Sequence, residues 1–460
     1  MSVNFLIENE RQTKIIDEVD VLIAGGGTSG TVAAIAAARS GARVLLVEQF
    51  GSLGGSATEG LVTPLMHTHI EENPMCSSIS DEINKRTIEL GYSFCDSTNN
   101  AGHFDPLMLK FVLEEMAVKA GVKILYYTFV SDIIKKENEL KGLIVHNKAG
   151  RGAILAKRVI DCTGDADVAV LSGAPYEKGN PETGENQPIS LRYTMSGIDI
   201  QKFIRFMDEN YKGGYQYEPP MFHTAMVWGG NWSLAPLFKQ ALENGDITYE
   251  DGAYWQVFGI PGKRDALAFN CPEIFDKVDG TNPEHLTNAQ IYGKETILRH
   301  LKFYKKYFKG FENAYVSQVA EQVGIRESRR IKGHYYMTDE DCILNRKFSD
   351  YVARSNYPVD IHGKKLINKH FDSQDKDPIP YYEIPYRALL PLGVDNLIVA
   401  GRCISASFLA QSSLRIQPTV RALGEAAGIA AALSIKKNVR LTEIKGEEVK
   451  EEMERRGAKF

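Results

Sequence analysis

Residues 19–48 read VDVLIAGGGTSGTVAAIAAARSGARVLLVE, and the fold is decided there. An apolar run, Val19 to Ala24, leads into a Gly25-x-Gly27-x-x-Gly30 pattern. A helical segment of small residues, Thr31 to Arg39, leaves it, and a second apolar run, Arg43 to Val47, ends at Glu48. Strand, helix, strand and an acid about twenty residues past the glycines make a complete β-α-β dinucleotide-binding unit. Glycines permit the tight turn and let backbone N–H groups approach a pyrophosphate. The helix N-terminus brings partial positive charge to the phosphates, and Thr28 and Ser29 within the glycine pattern are counted with the cofactor-binding residues. Glu48, with Gln49 beside it, is placed to accept hydrogen bonds from a ribose diol. A turn built for packing alone would leave the acid unexplained.

Outward from this unit, residues 51–58 (GSLGGSAT) form a second glycine-rich loop at the carboxyl end of the second strand, where open α/β sheets bind ligands. A helix is expected from Asp105 to Ala120, with Gly121 past its end. The runs Lys123 to Ile134, Leu140 to Asn147 and Ala153 to Ala156 read as a β-meander, and Arg158 to Cys162 as a strand running into Thr163-Gly164-Asp165. From about Tyr176 to Pro380 the composition shifts to mixed aromatic, polar and charged residues with no further glycine fingerprint. Nucleotide-fold character then returns. Asn396 to Ala400 reads as a buried strand ending in Gly401-Arg402, and Pro418 to about Ser434 as a small-residue helix with proline in its first turn. Glu443 to Arg456 reads as a solvated helix. The expected architecture is α/β: a discontinuous Rossmann-like domain with a meander (1–175 and 381–460), and a mixed α+β substrate or capping domain (176–380).

The chain has 460 residues, 43% hydrophobic and 25% charged, ordinary for a globular protein with two cores. A net charge of -5 gives no reason to expect nucleic acid or an anionic membrane as partner. Residues 302–311 (KFYKKYFKGF) mix base and aromatic, but fit an amphipathic helix end with Phe303, Tyr307 and Phe308 toward a core. The six cysteines are scattered without metal-ligand spacing, so no metal centre is expected, and they read as reduced thiols. The first residues show no leader pattern and no run is long enough to span a bilayer, so a cytoplasmic protein is expected.

Three distant fragments separate flavin from nicotinamide binding. The fingerprint, the meander before VIDCTGDAD (residues 159–167), and the closing NLIVAGR with RIQPTVRALGEAAG resemble the FAD-binding fold of the glutathione-reductase-like flavoproteins. The fumarate reductase and succinate dehydrogenase flavoproteins are the nearer branch. Residues 324–331 (GIRESRRI), Ile384-Pro385-Tyr386 and Ala400-Gly401-Arg402 are similar to a bacterial family described only as FAD-dependent oxidoreductases. The resemblance implies FAD as cofactor. It assigns the pyrophosphate to Gly25, Gly27 and Gly30 and the adenosine ribose to Glu48. It brings Gly54, Gly55 and Ser56 to the pyrophosphate or ribityl chain and Val130 to the adenine. Thr163, Gly164 and Asp165 would lie near the adenosine half, Gly401 and Arg402 by the ribityl phosphate, and the helix from Pro418 at the flavin N1/O2 edge, where its dipole favours reduced flavin. Only one fingerprint is present, and no CxxC redox pair follows it, so neither a dedicated NAD(P)H domain nor a disulfide reductase is expected.

With flavin carrying the hydride, the chain must supply a substrate anchor and a proton donor or acceptor. Arg326, Arg329 and Arg330 are candidate anchors through the planar guanidinium fork; ion pairing with Glu321, Glu327 and neighbouring acids is the competing account. His67 and His69 follow the second glycine loop, as bases, attachment points or structural histidines. Ser412 and Arg415 precede the closing helix and are within reach of the site. Cys403 and Ser405 read as small buried neighbours of the cofactor, and His103 as a helper in starting the helix after Asp105. The leading expectation is an FAD oxidoreductase that moves a hydride between a small organic substrate and flavin N5, with an unidentified electron partner. The alternatives are a lyase or isomerase using FAD without net redox turnover, and a non-catalytic flavin-binding protein.

Overall fold

The run Val21-Leu22-Ile23-Ala24 is apolar without alternation because both faces of its strand are covered, and all four side chains are fully buried. In the computed structural model, which describes residues 10–66, 68–70, 73–75, 77–95, 101–219, 221–228, 232–275, 278–362 and 381–460, this strand is β1 (Ile15–Ala24). Helix α1 (Thr28–Arg39) follows, then β2 (Val44–Val47) parallel to β1. Helix α2 (Ser78–Glu89), which the sequence reading did not anticipate, precedes α3 (Pro106–Lys119). Asp105 caps α3 by accepting from the Leu107 N–H at 2.9 Å, and Gly121 beyond it has φ 86°. His103, expected to help start this helix, instead lies in the short strand Ala101–Phe104, its ring 4.7 Å from that of Phe258.

The expected run Lys123 to Ile134 is two strands, β3 (Lys123–Leu125), parallel to β2, and β4 (Phe129–Lys136). They part where Tyr127 takes φ 52°, which no strand allows. Strand β4 pairs antiparallel with β5 (Glu139–Asn147), and β5 with β6 (Gly150–Asp161). The two strands expected at Ala153 to Ala156 and Arg158 to Cys162 are this one. Its first half pairs with β5 on one edge, its last three residues pair on that same edge with a strand from the far end of the chain, and β1 lies along its other edge from Ala153 to Asp161.

The middle segment builds a second, wholly antiparallel sheet from β7 (Tyr193–Ser196), β8 (Tyr215–Glu218), β9 (Met221–Trp228), β10 (Tyr254–Gly259) and β11 (Leu267–Phe269). The long helix α4 (Pro283–Tyr307) and strand β12 (Tyr315–Val319) complete it. Phe303, Tyr304, Phe308 and Phe311 are buried in one aromatic core with Phe203 and Trp255, while Lys302, Lys305 and Lys306 stay exposed. The basic-aromatic stretch is thus an amphipathic helix end.

The chain then returns. Strand β13 (Leu397–Val399) pairs parallel with β6, through Val159, Ile160 and Asp161. Helix α5 (Phe408–Leu414) leads to α6 (Gln417–Lys437), which lies against α1. The contact is close because the residues are small: a Cβ on Gly424 would stand 2.2 Å from the Ser29 carbonyl oxygen, and one on Gly428 2.3 Å from that of Ala33. The last helix, α7 (Gly446–Arg455), is not solvated all round as expected. Val449 and Met453 are fully buried in the core shared by α1 and α6, and only the opposite face carries charge to water. No helix among the described residues is long and apolar enough to cross a membrane.

Candidate functional site

The turn between β1 and α1 is shaped by backbone contact. Gly25 has φ 92°, and a Cβ there would lie 2.7 Å from the Cys162 carbonyl oxygen; one on Gly30 would lie 1.9 Å from that of Gly25. Gly30 therefore serves the close packing of turn and helix, not the cleft wall. Helix α1 begins with no side-chain cap and no acid in its first turn, so its first N–H groups lack partners inside the helix. The second glycine loop folds onto this turn: the Gly54 N–H donates to Gly26 O at 2.8 Å, and Thr28 Oγ1 donates to Gly54 O at 3.1 Å. Gly54 is thus a strut, and Gly55 and Ser56 form the wall.

Glu48 follows β2 directly, with its carboxylate buried. Oε2 accepts the Gly26 N–H at 2.6 Å and Oε1 the Phe50 N–H at 2.8 Å. Burial pushes its pKa up, against the lowering effect of those N–H donors. Two N–H bonds leave part of the carboxylate's acceptor capacity free. Opposite, Asp161 ends β6, its carboxylate accepting from the Thr163 N–H and hydroxyl and from the Ala169 N–H, which fixes the Thr163-Gly164-Asp165 turn. Asp165 Oδ1 accepts from Arg402 Nη2 at 2.7 Å and from Ser328 Oγ at 2.5 Å, tying the closing segment and the middle segment to this turn.

These elements enclose one cleft of about 810 Å³. Its walls bring together Gly25, Gly27, Thr28, Ser29, Glu48, Gln49, Gly55, Ser56, Val130, Thr163, Gly164, Asp165, Gly401 and Arg402 with Arg326 and Arg415. Pro418 is buried in the first turn of α6 behind Gln417, which lines the cleft in its place. Cys403 packs in the core under the sheet, and Ser405 Oγ accepts the Gly333 N–H; neither reaches the cleft. His67 lies outside the described residues. Ser412 Oγ is taken by Leu409 O and the Asp360 N–H.

The arginines expected as anchors all carry partners. Arg330, buried, pairs with Glu327 and donates to Ala406 O; Arg329 pairs with Asp167 and donates to Asp165 O at 2.6 Å. Arg326 pairs with Glu273 at 2.6 Å and donates to Pro188 O at 2.8 Å. Arg415 pairs with Asp360 at 3.1 Å. His362 joins the two acids, Nδ1 2.6 Å from Glu273 Oε1 and Nε2 3.1 Å from Asp360 Oδ1. Burial and Arg326 pull the His362 pKa down, but Glu273 and Asp360 outweigh both and leave it raised. Burial favours neutral Asp360, yet His362, Arg415 and Arg326 overcome it and hold the carboxyl below the usual range. Gln187, Arg192, Glu273, Asp360 and His362 were not expected from the sequence.

A model of the FAD dependent oxidoreductase family matches residues 20–453. The chain belongs to that family. The thiamine thiazole synthase of Methanococcus aeolicus is 35% identical over 162 residues, 33% of this chain and 57% of the synthase. That of Methanococcus vannielii is 34% identical over 220 residues, 43% of this chain and 80% of the synthase. The chain therefore spans little more than half the length of the first of these relatives. Among solved structures, a geranylgeranyl bacteriochlorophyll reductase-like protein from Thermoplasma acidophilum aligns over 95% of this chain and 83% of its own, at 14% identity and a TM-score of 0.45.

The cleft of this FAD-dependent oxidoreductase fits such a cofactor. Two helices, α1 and α6, present uncapped first turns without acids to its wall. Buried polar atoms of the lining, Gln322 Oε1, Arg402 Nε and Gln417 Oε1, have no partner in the protein. Buried polar atoms are nearly always paired, so a polar occupant answers a need already present.

Proposed function

We propose that this FAD-dependent oxidoreductase transfers a hydride between a small organic substrate and flavin N5, without a dedicated NAD(P)H domain. The observation that carries this reading is the single cleft that runs from Glu48 and Val130, past both helix N-termini, to Arg326 and Arg415. In this reading Glu48 holds the adenosine ribose, and Gly25, Gly27, Thr28 and Ser29 the pyrophosphate. The first turn of α6 faces the flavin ring. FAD supplies the hydride-accepting or hydride-donating centre when bound. The chain's part is to bind and orient, and to keep charge near the reacting group through Arg326, Arg415 and their acids. We further propose that 1–175 and 381–460 form one discontinuous FAD domain, supported by the β6–β13 pairing and the α1–α6 contact, with 176–380 as its cap.

A second reading is bound FAD without net redox turnover, as in a lyase or isomerase. Anaerobic addition of candidate organic acids and alcohols to the purified protein separates the two. Loss of the oxidised flavin absorbance in at least one case is expected. Turnover of a substrate with the absorbance unchanged would favour the second reading, and a protein that carries NAD and no flavin would sink both.

A further inference from the structure

Arg192 stands in the same cleft, two residues past Ser190 and just before β7. It is 8% exposed, its Nε has no hydrogen-bond partner, and among the described residues it makes no ion pair. Its neighbours differ. Arg326 pairs with Glu273 and donates to Pro188 O, and Arg415 pairs with Asp360, although its Nε, like that of Arg192, has no hydrogen-bond partner; what sets Arg192 apart is that no acid among the described residues pairs with it. Three guanidiniums against two carboxylates leave one buried positive charge uncompensated. Burial first, then Arg326, lower the Arg192 pKa to about 10, which still leaves it charged at neutral pH. Such a cation is strongly unfavourable in a folded chain unless a ligand anion completes it.

We propose that Arg192 is the anchor for a carboxylate of the substrate, and that Arg326 and Arg415 act as positioning residues locked by Glu273, His362 and Asp360. This rests on reading the cleft as the FAD and substrate site. A single buried guanidinium offers parallel N–H donors that match the two oxygens of a planar carboxylate. A phosphate would keep further oxygens without donors. Val62, Val323 and Val420, which also line the cleft, suit a carbon skeleton. The substrate class is therefore an organic acid.

The test is a titration of the holoprotein with acetate, succinate and benzoate, beside acetamide, succinamide, benzamide and inorganic phosphate. Binding is read by calorimetry and by the visible flavin spectrum. At least one acid should bind at least about tenfold more tightly than its amide and than phosphate. Arg192→Gln should weaken that acid by at least about tenfold with FAD content unchanged. Arg192→Lys, which keeps the charge but loses the fork, should weaken it at least about threefold, and it carries the test if Arg192→Gln does not fold. Equal binding of acid and amide, no binding by any acid, tighter binding of phosphate, unchanged affinity in the variants, or loss of FAD from a folded variant would each overturn the proposal. A flavin-free protein would refute the FAD reading instead, and calorimetry on it would still decide the role of Arg192.

Discussion

At the scale of single residues, Glu48 is a strut and, in the function proposed above, the ligand of the adenosine ribose. In the proposed site Glu48→Ala removes a carboxylate acceptor from the ribose, and hydrogen bonds to charged groups contribute about 1.5–3 kcal/mol. The FAD Kd, measured by fluorescence titration of the apoprotein, should rise by at least about tenfold. The same change strands the Gly26 and Phe50 N–H groups, so the melting temperature should also fall. Glu48→Gln keeps one carbonyl acceptor for them and should lose less stability. Unchanged FAD affinity in a folded Glu48→Ala would make the acid a strut alone. His362 sets a pH dependence. Its folded pKa is raised by Glu273 and Asp360, so the stabilisation is complete below the unfolded value of about 6.5 and is lost as pH rises through the folded value. Urea midpoints should therefore decline from pH 6.5 upward, and His362→Gln should flatten that decline; an identical slope in the variant would exclude His362 as its source. The glycine turn and the place of Glu48 beside it were legible because strand, turn, helix, strand and acid follow one another in sequence. Arg192 was not. Nothing beside it in the chain marks it, and its lack of a partner arises only when residues 187–192, 322–326 and 415–417 meet.

Among the elements, the α1–α6 contact is the one that couples packing to the cofactor turn, since Ser29 donates to Ala400 O at 3.0 Å and its carbonyl touches Gly424. Gly424→Ala should cost about 1–3 kcal/mol, the usual range for overpacking, and should weaken FAD binding by displacing Ser29. Gly252→Ala is the control, because a Cβ there meets nothing nearer than 3.7 Å. Equal denaturation midpoints for the two variants would mean that the helices part without cost. Periodicity revealed α3 and the small-residue helix α6 to within a few residues. It could not reveal that the last strand of the meander is one 12-residue strand with two partners along one edge, since a strand's hydrophobic pattern does not record which neighbours cover it. Nor could it show that Val449 and Met453, two apolar residues in a charged helix, find a core built elsewhere.

For the whole molecule, the return of residues after 381 to the first sheet was legible because a buried strand and a glycine-bearing helix reappear there with no fingerprint of their own. The shape of the middle segment was not legible, because β7 pairs with β11 and β12, both far from it in sequence, and only the fold brings Ser190 opposite Gly324. The edge of β6 that receives β13 has a consequence for biosynthesis. When Asp161 leaves the ribosome, the partner of its strand end lies roughly 240 residues further along the message, on the order of tens of seconds at ~5–20 residues per second. Through that interval the nascent sheet carries an open apolar edge, and the face of α1 that α6 will cover stays bare. Cofactor capture is thereby deferred to the end of translation, and the nascent chain has reason to engage a holdase chaperone while it waits.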